Sequence, residues 1–111
     1  VKGSFRFTQK ERIALPQDFR RVMKSGRRLI SKHYILFLQE NERGFHRLGI
    51  VVKKEVGPAN IRNRMKRHLR EFFRLNKQQI KGSFDMIILI KKGSLPEYYR
   101  ETEEELRRVL A

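Results

Sequence analysis

The sequence predicts a small α+β domain, an α/β sandwich, in the order helix, two or three strands, helix, strand, helix. Three observations predict it. Apolar residues recur at helical spacing within 19–23, 61–73 and 98–110, they alternate or run continuously within 34–38, 47–53 and 84–91, and Gly or Pro marks most of the junctions. A chain of 111 residues allows one domain with one modest core. No repeat, low-complexity tract or second domain interrupts it, so 1–111 reads as a single unit.

The first helix is signalled by Leu15-Pro16-Gln17-Asp18-Phe19, because Pro suits the first helical position and an acid in the first turn suits the helix dipole. Gly26 is its expected stop, and Phe19, Val22 and Met23 form a stripe with Arg20, Arg21 and Lys24 turned away. Residues 34–38 (YILFL) read as a strand closed by the turn-prone Asn41-Glu42-Arg43-Gly44. A second strand, 47–53, is expected to pair with it as a hairpin. Leu48, Ile50 and Val52 alternate there with Gly49 and Val51, giving one firmly apolar face and one small face. Gly57-Pro58 is then expected to open a helix running to about Asn76, with Gly57 as cap and Pro58 at the first position, or with Asn60 as the cap. Residues 84–91 are continuous enough in apolar side chains to be a central strand covered on both faces. Ser94-Leu95-Pro96-Glu97 fits a capping box for a last helix, whose buried stripe is read as Tyr98, Tyr99, Thr102, Leu106, Val109 and Leu110.

Charge narrows the function classes. The chain holds 27 Lys and Arg against 12 Asp and Glu, a formal net charge of +15. Such a chain needs an anionic partner. The distribution is uneven: residues 53–81 hold ten cations against Glu55 and Glu71, whereas 97–111 hold five acids against three cations. The absence of Cys excludes disulfide scaffolds, thiolate metal sites and cysteine nucleophiles, and a cytoplasmic setting is expected. No apolar run is long enough to span a membrane, and the N-terminal VKGSFRFTQK lacks the apolar core of a signal peptide.

The helix after Pro58 concentrates the basic charge on one side. On a helical wheel Ile61, Met65, Leu69, Phe72 and Phe73 fall within an arc of about 120°, while Lys66, Arg67, Arg70 and Arg74 fall between about 140° and 240°. Arg62 and Arg64 flank that arc and Asn63 lies inside it. A merely solvated face is the alternative, but solvated faces mix signs, and this one has only Glu71. Arginine forks match phosphate oxygens two at a time, so the face suits a nucleic-acid backbone. Charge alone does not separate RNA from DNA. The chain lacks a two-helix major-groove reader, a metal finger and a zipper, whereas Phe19 and Met23 beside Arg20 and Lys24, and Phe37 after Lys32, suit unpaired bases. Core packing is the alternative for Phe19 and Phe37.

Two rival readings remain. A protein nuclease would need a general base or a carboxylate cluster on a metal ion. His33, His46 and His68 read as structural, and the consecutive Glu103, Glu104 and Glu105 point about 100° apart on a helix. No catalytic or metal-ligating set is therefore assigned. The other rival is a different small basic RNA-binding module, such as a ribosomal protein.

At Arg62-Asn63-Arg64-Met65-Lys66-Arg67-His68-Leu69-Arg70 the sequence resembles the signature of the bacterial ribonuclease P protein component. The likeness extends upstream through Leu48-Gly49-Ile50-Val51-Val52-Lys53-Lys54, downstream through Glu71-Phe72-Phe73-Arg74, and to Asp18-Phe19-Arg20-Arg21-Val22-Met23-Lys24-Ser25-Gly26. It implies the order α-β-β-β-α-β-α, a four-stranded mixed sheet and a left-handed strand-helix-strand crossover. It also implies a subunit that assists a catalytic RNA, with Mg²⁺ held mainly by that RNA, in removing the 5′ leader of precursor tRNA, with no further protein partner required. Carried over, Lys53, Lys54, Arg62, Asn63, Arg64, Lys66, Arg67 and Arg70 would face the catalytic RNA, and Arg12, Phe19, Met23 and Phe37 would line the leader cleft. The chain departs from the family where Met23 replaces a frequent aromatic, and at Pro58 and Asn60.

Overall fold

In the computed structural model, which describes residues 6–111, the chain forms α1 (Pro16–Ser25), β1 (Arg27–Ile30), β2 (Tyr34–Glu40), β3 (Arg47–Val51), α2 (Ala59–Asn76), β4 (Phe84–Ile90) and α3 (Tyr99–Leu110). The order is α-β-β-β-α-β-α. Residues 1–5 of the stretch read as lacking a signal-peptide core lie outside the described residues.

The four strands make one mixed sheet in the order β1-β2-β4-β3, with β4 antiparallel to β2 and parallel to β3. The expected hairpin of 34–38 with 47–53 is therefore not formed, because β4 lies between the two strands. The reason is the composition of β4. Met86, Ile88 and Ile90 are apolar on one face and Ile87 and Leu89 on the other, so the strand is best placed where neighbours satisfy both of its backbone edges. Residues 41–46 need only carry the chain across one intervening strand, about 10 Å at ordinary strand spacing. α2 connects the parallel neighbours β3 and β4 as a strand-helix-strand crossover.

α2 and α3 cover one face of the sheet. Met65, Leu69, Phe72, Phe73 and Leu106 meet Tyr34, Leu36, Met86 and Ile88 there, all at most 2% exposed. α1 lies on the other face over Ile13, Phe37 and Ile87, with Val22 fully buried, but it leaves Ile35, Val51 and Leu89 only half-buried. The expectation that β4 is covered on both faces thus holds fully on one face and partly on the other, since a ten-residue helix is too short to roof the sheet.

Two helix starts differ from expectation. Pro58 is the cap of α2 rather than its first residue, and its carbonyl accepts from the N–H groups of Ile61 and Arg62, each at 3.0 Å. α3 begins at Tyr99 instead of inside 94–97. The reaching-back acid is Glu101, whose Oε1 accepts from the Tyr98 N–H at 3.1 Å. Tyr98 is consequently 68% exposed and does not belong to the buried stripe. Pro96 disfavours helical geometry at Leu95, which keeps the preceding segment extended.

A buried ionic network seats α1. Asp85, 1% exposed at the start of β4, accepts from Arg47 (2.8 and 2.7 Å), Arg21 (2.8 Å) and Asn41 (2.8 Å). Arg21 also donates to Asp18 at 2.6 Å. Burial alone would raise the Asp85 pKa, but the bonds from Arg47 and Asn41 and the charges of Arg47 and Arg21 bring it below its ordinary value.

Candidate nucleic-acid interface

The amphipathic split of α2 puts its cations on the solvent side. With Met65, Leu69, Phe72 and Phe73 buried, Arg67 and Arg70 are exposed with Asn63, while Arg62, Arg64 and Lys66 are half-buried. Arg62 Nε donates to the Gly57 carbonyl at 3.1 Å, which holds that side chain over the first turn. Lys53 and Lys54 are exposed where the chain passes from β3 toward α2. Among the described residues, none of Arg62, Arg64, Lys66, Arg67 and Arg70 is in an ion pair. Glu71 is taken by Arg74, at 3.1 and 2.8 Å, and these bonds hold its carboxyl below its usual range. The guanidinium groups that a solvated face would pair are thus left open to an external anion.

His68 belongs to the interior side of this helix. It is 8% exposed, its Nδ1 lies 3.4 Å from the Thr102 hydroxyl, and burial together with the charges of Arg64 and Arg67 lowers its pKa. His46 spans structure as well, donating through Nε2 to the Ile80 carbonyl (2.9 Å) while Nδ1 accepts from the Phe84 N–H (3.0 Å). His33 faces Glu105 at 2.6 Å, and Glu105 also accepts from the His33 N–H at 2.7 Å and from the Ser31 hydroxyl. All three histidines thus have structural partners. Glu103 instead accepts from the Tyr99 hydroxyl at 2.9 Å, and Glu104 is exposed. Among the described residues no three His, Cys, Asp or Glu side chains converge as metal ligands.

The open part of the α1 face forms a second surface. Phe19 and Met23 wall it, and Ile35, Val51 and Leu89 make the floor. Gly49 explains the small face of β3: a Cβ there would stand 2.8 Å from the Phe19 ring, so only hydrogen lets the ring settle on the strand. Phe37 is 9% exposed and packs with Ile13, Val22 and Ile87, so most of its ring is core and only an edge reaches the groove. Arg12 is not brought together with these three. It bridges to Leu48, which faces α2, and its guanidinium lies over the Phe7 ring at 4.4 Å, with Phe7 packed on Phe73. The bridge to an edge strand dictates that side, and nothing in the local sequence around Arg12 announces it. Sequence reasoning also missed Arg47 and Asp85, although an acid inside an otherwise apolar strand is the signal that points to a buried partner.

The model of the Ribonuclease P family matches residues 7–111. The chain belongs to the ribonuclease P protein family. It is 38% identical to the ribonuclease P protein component of Thermotoga maritima over 94 residues, 85% of this chain and 80% of that one. It is 40% identical to the component of Syntrophus aciditrophicus over 96 residues, 86% of this chain and 81% of that one. Among solved structures, the RNase P protein of T. maritima superimposes with a TM-score of 0.79 at 33% identity, covering 90% of this chain and 94% of that one. An RNase P protein mutant of Staphylococcus aureus gives a TM-score of 0.83 at 30% identity, covering 92% and 86%. This ribonuclease P protein is a subunit of a ribonucleoprotein endoribonuclease, and its partner is the ribonuclease P RNA. The ribosomal-protein alternative is set aside.

Proposed function

We propose that the α2 face, Arg62, Asn63, Arg64, Lys66, Arg67 and Arg70 with Lys53 and Lys54, holds the phosphates of the catalytic RNA. The groove of Phe19, Met23 and the exposed edge of Phe37 receives the single-stranded 5′ leader of precursor tRNA; Arg12 lies on the other side of β3 from it. The observation that carries this reading is the row of guanidinium groups without ion pairs among the described residues, on a helix whose opposite side is buried. In this reading hydrolysis belongs to the RNA and the Mg²⁺ it holds. No further protein is required, and the cytoplasm is the setting. Among the described residues no helix is long and apolar enough to cross a membrane.

Reconstitution tests the proposal. Precursor tRNA and Mg²⁺ are mixed with the chain, with and without ribonuclease P RNA, at moderate salt and low Mg²⁺. The expected result is no cleavage by the chain alone and faster cleavage by the RNA when the chain is added. Cleavage by the chain alone, or no effect on the RNA, overturns the reading.

A further inference from the structure

β1 is an edge strand, and its two arginines serve opposite faces. Arg27 lies across from Leu38 and Arg28 across from Phe37 in the antiparallel register with β2. Directly opposed residues share a face. Arg27 therefore goes to the α2–α3 side with Leu38, where it lines a hollow with Lys81 and Leu110, and Arg28 goes to the α1 side with Phe37. Ile30 follows Arg28 on that face, is 57% exposed, and is opposed to the half-buried Ile35. The apolar floor of the groove thus continues from Leu89 through Ile35 to Ile30, with Arg28 standing at its margin.

Among the described residues Arg28 is exposed and in no ion pair, and Asp18 of α1 and Asp85 of β4 are engaged by Arg21 and Arg47. On the helix above, Arg20 and Lys24 each follow one residue after the wall residues Phe19 and Met23, and both are exposed. A strip of apolar side chains bordered by unpaired cations has the composition of a single-strand site, where bases stack and the backbone follows the charge.

We propose that Arg28 binds a backbone phosphate of the single strand in this groove, the one flanking the nucleotide seated against Met23 and the edge of Phe37. The proposal deepens the reading of the groove as the leader site and rests on it. Opposed side chains start about 5 Å apart at Cβ, and the long arginine arm then covers the further distance from a stacked base to its own phosphate. A cation on an edge strand also discourages pairing with another sheet, but Arg27 would serve that purpose equally. The pair accordingly provides its own control.

The test measures how affinity of the reconstituted holoenzyme depends on salt, for precursor tRNA with a leader and for mature tRNA. Arg28→Ala is expected to lower the magnitude of the log–log salt slope by about 0.7 for the leader-bearing substrate, one single-strand phosphate contact, and to leave mature tRNA unchanged. Arg28→Lys restores most of the slope, and Arg27→Ala changes neither substrate. Equal losses for Arg27→Ala and Arg28→Ala, a loss that extends to mature tRNA, or no loss for Arg28→Ala overturns the assignment. Met23→Ala, with its folding checked by circular dichroism, separates the two levels. A leader-specific loss for Met23→Ala with none for Arg28→Ala keeps the groove and removes Arg28; no leader-specific loss for Met23→Ala removes the groove reading itself.

Discussion

Asp85 is the residue on which most of the fold's polar order converges. It accepts from Arg47, Arg21 and Asn41, joining β4 to β3, to α1 and to the loop 41–46. Asp85→Ala leaves Arg47, 6% exposed, without its main partner, and breaking a buried pair from one side costs about 3–5 kcal/mol. Urea unfolding should report a loss of that size, and a loss under 1 kcal/mol would show that the network is not a structural anchor. Single sites on α2 are predicted to act on binding instead. Arg67→Ala and Arg64→Ala should weaken assembly with the ribonuclease P RNA and lower the salt slope by about one unit for each phosphate contact removed. Melting temperature separates the two, because exposed Arg67 supports no packing whereas half-buried Arg64 does. Unchanged slopes in both variants would detach the helix face from the RNA.

At the scale of elements, helices were legible and strand partners were not. The 3.6-residue recurrence of Ile61, Met65, Leu69 and Phe72 is local, so α2 and the side it buries followed from counting. The same holds for α1, whose Pro16 start and Gly26 stop need no tertiary partner. Adjacency in the chain predicts a pairing of 47–53 with 34–38, and β4 takes the place between them. α3 shows a subtler limit: Ser94 to Glu97 and Tyr98 to Glu101 both place an acid three residues after a candidate cap, and only the second is used. Carboxylates that tie elements together also set a pH dependence. Glu11 (to Lys77, 2.6 Å), Asp85 and Glu105 all have folded pKa values lowered despite the burial that would raise them, through their hydrogen bonds and nearby cations. The sign follows from linkage: this stability is complete above the unfolded carboxylate pKa, about 4, and is lost as pH falls through the lower folded values. His68, lowered by burial and by Arg64 and Arg67, acts in the same direction from about pH 6.5 downward. Thermal melts from pH 7.5 to 3 should therefore show a shallow decline and then a steep one; a midpoint that stays flat below pH 4 contradicts the network.

For the molecule as a whole the net charge of +15 has two opposed consequences. Self-repulsion loads the isolated fold, and salt screens it, with a Debye length of about 10 Å at 0.1 M. The melting temperature of the free chain should therefore rise between low and moderate salt, while affinity for the RNA falls over the same range. A free chain that loses stability on that first addition of salt would show that its surface ion pairs outweigh the repulsion. Not every acid relieves that load: Asp18, Asp85, Glu11 and Glu105 are committed to internal partners, whereas Glu40, Glu42, Glu55, Glu97, Glu101 and Glu104 are exposed. Among the described residues no ion pair reaches the α2 cations from Arg62 to Arg70, and Glu71 is paired with Arg74 along the helix.

By itself the sequence determined the three helices and the strands within 34–38, 47–53 and 84–91 in their order, the two-sided character of α2, the small face of β3 and the likeness to the ribonuclease P protein family; β1 was not legible from its four residues. These properties are local, set by residue spacing and side-chain chemistry along one segment. Tertiary structure decided which strand lies between β2 and β3, which side of the sheet Arg12 takes, how far α1 roofs its face, and which acids are withdrawn from the surface. Those outcomes depend on contacts between segments far apart in the chain, such as Asp85 with Arg21 and Arg12 with Leu48. Hydrogen-bond satisfaction and burial choose among such contacts only when the whole chain is in place.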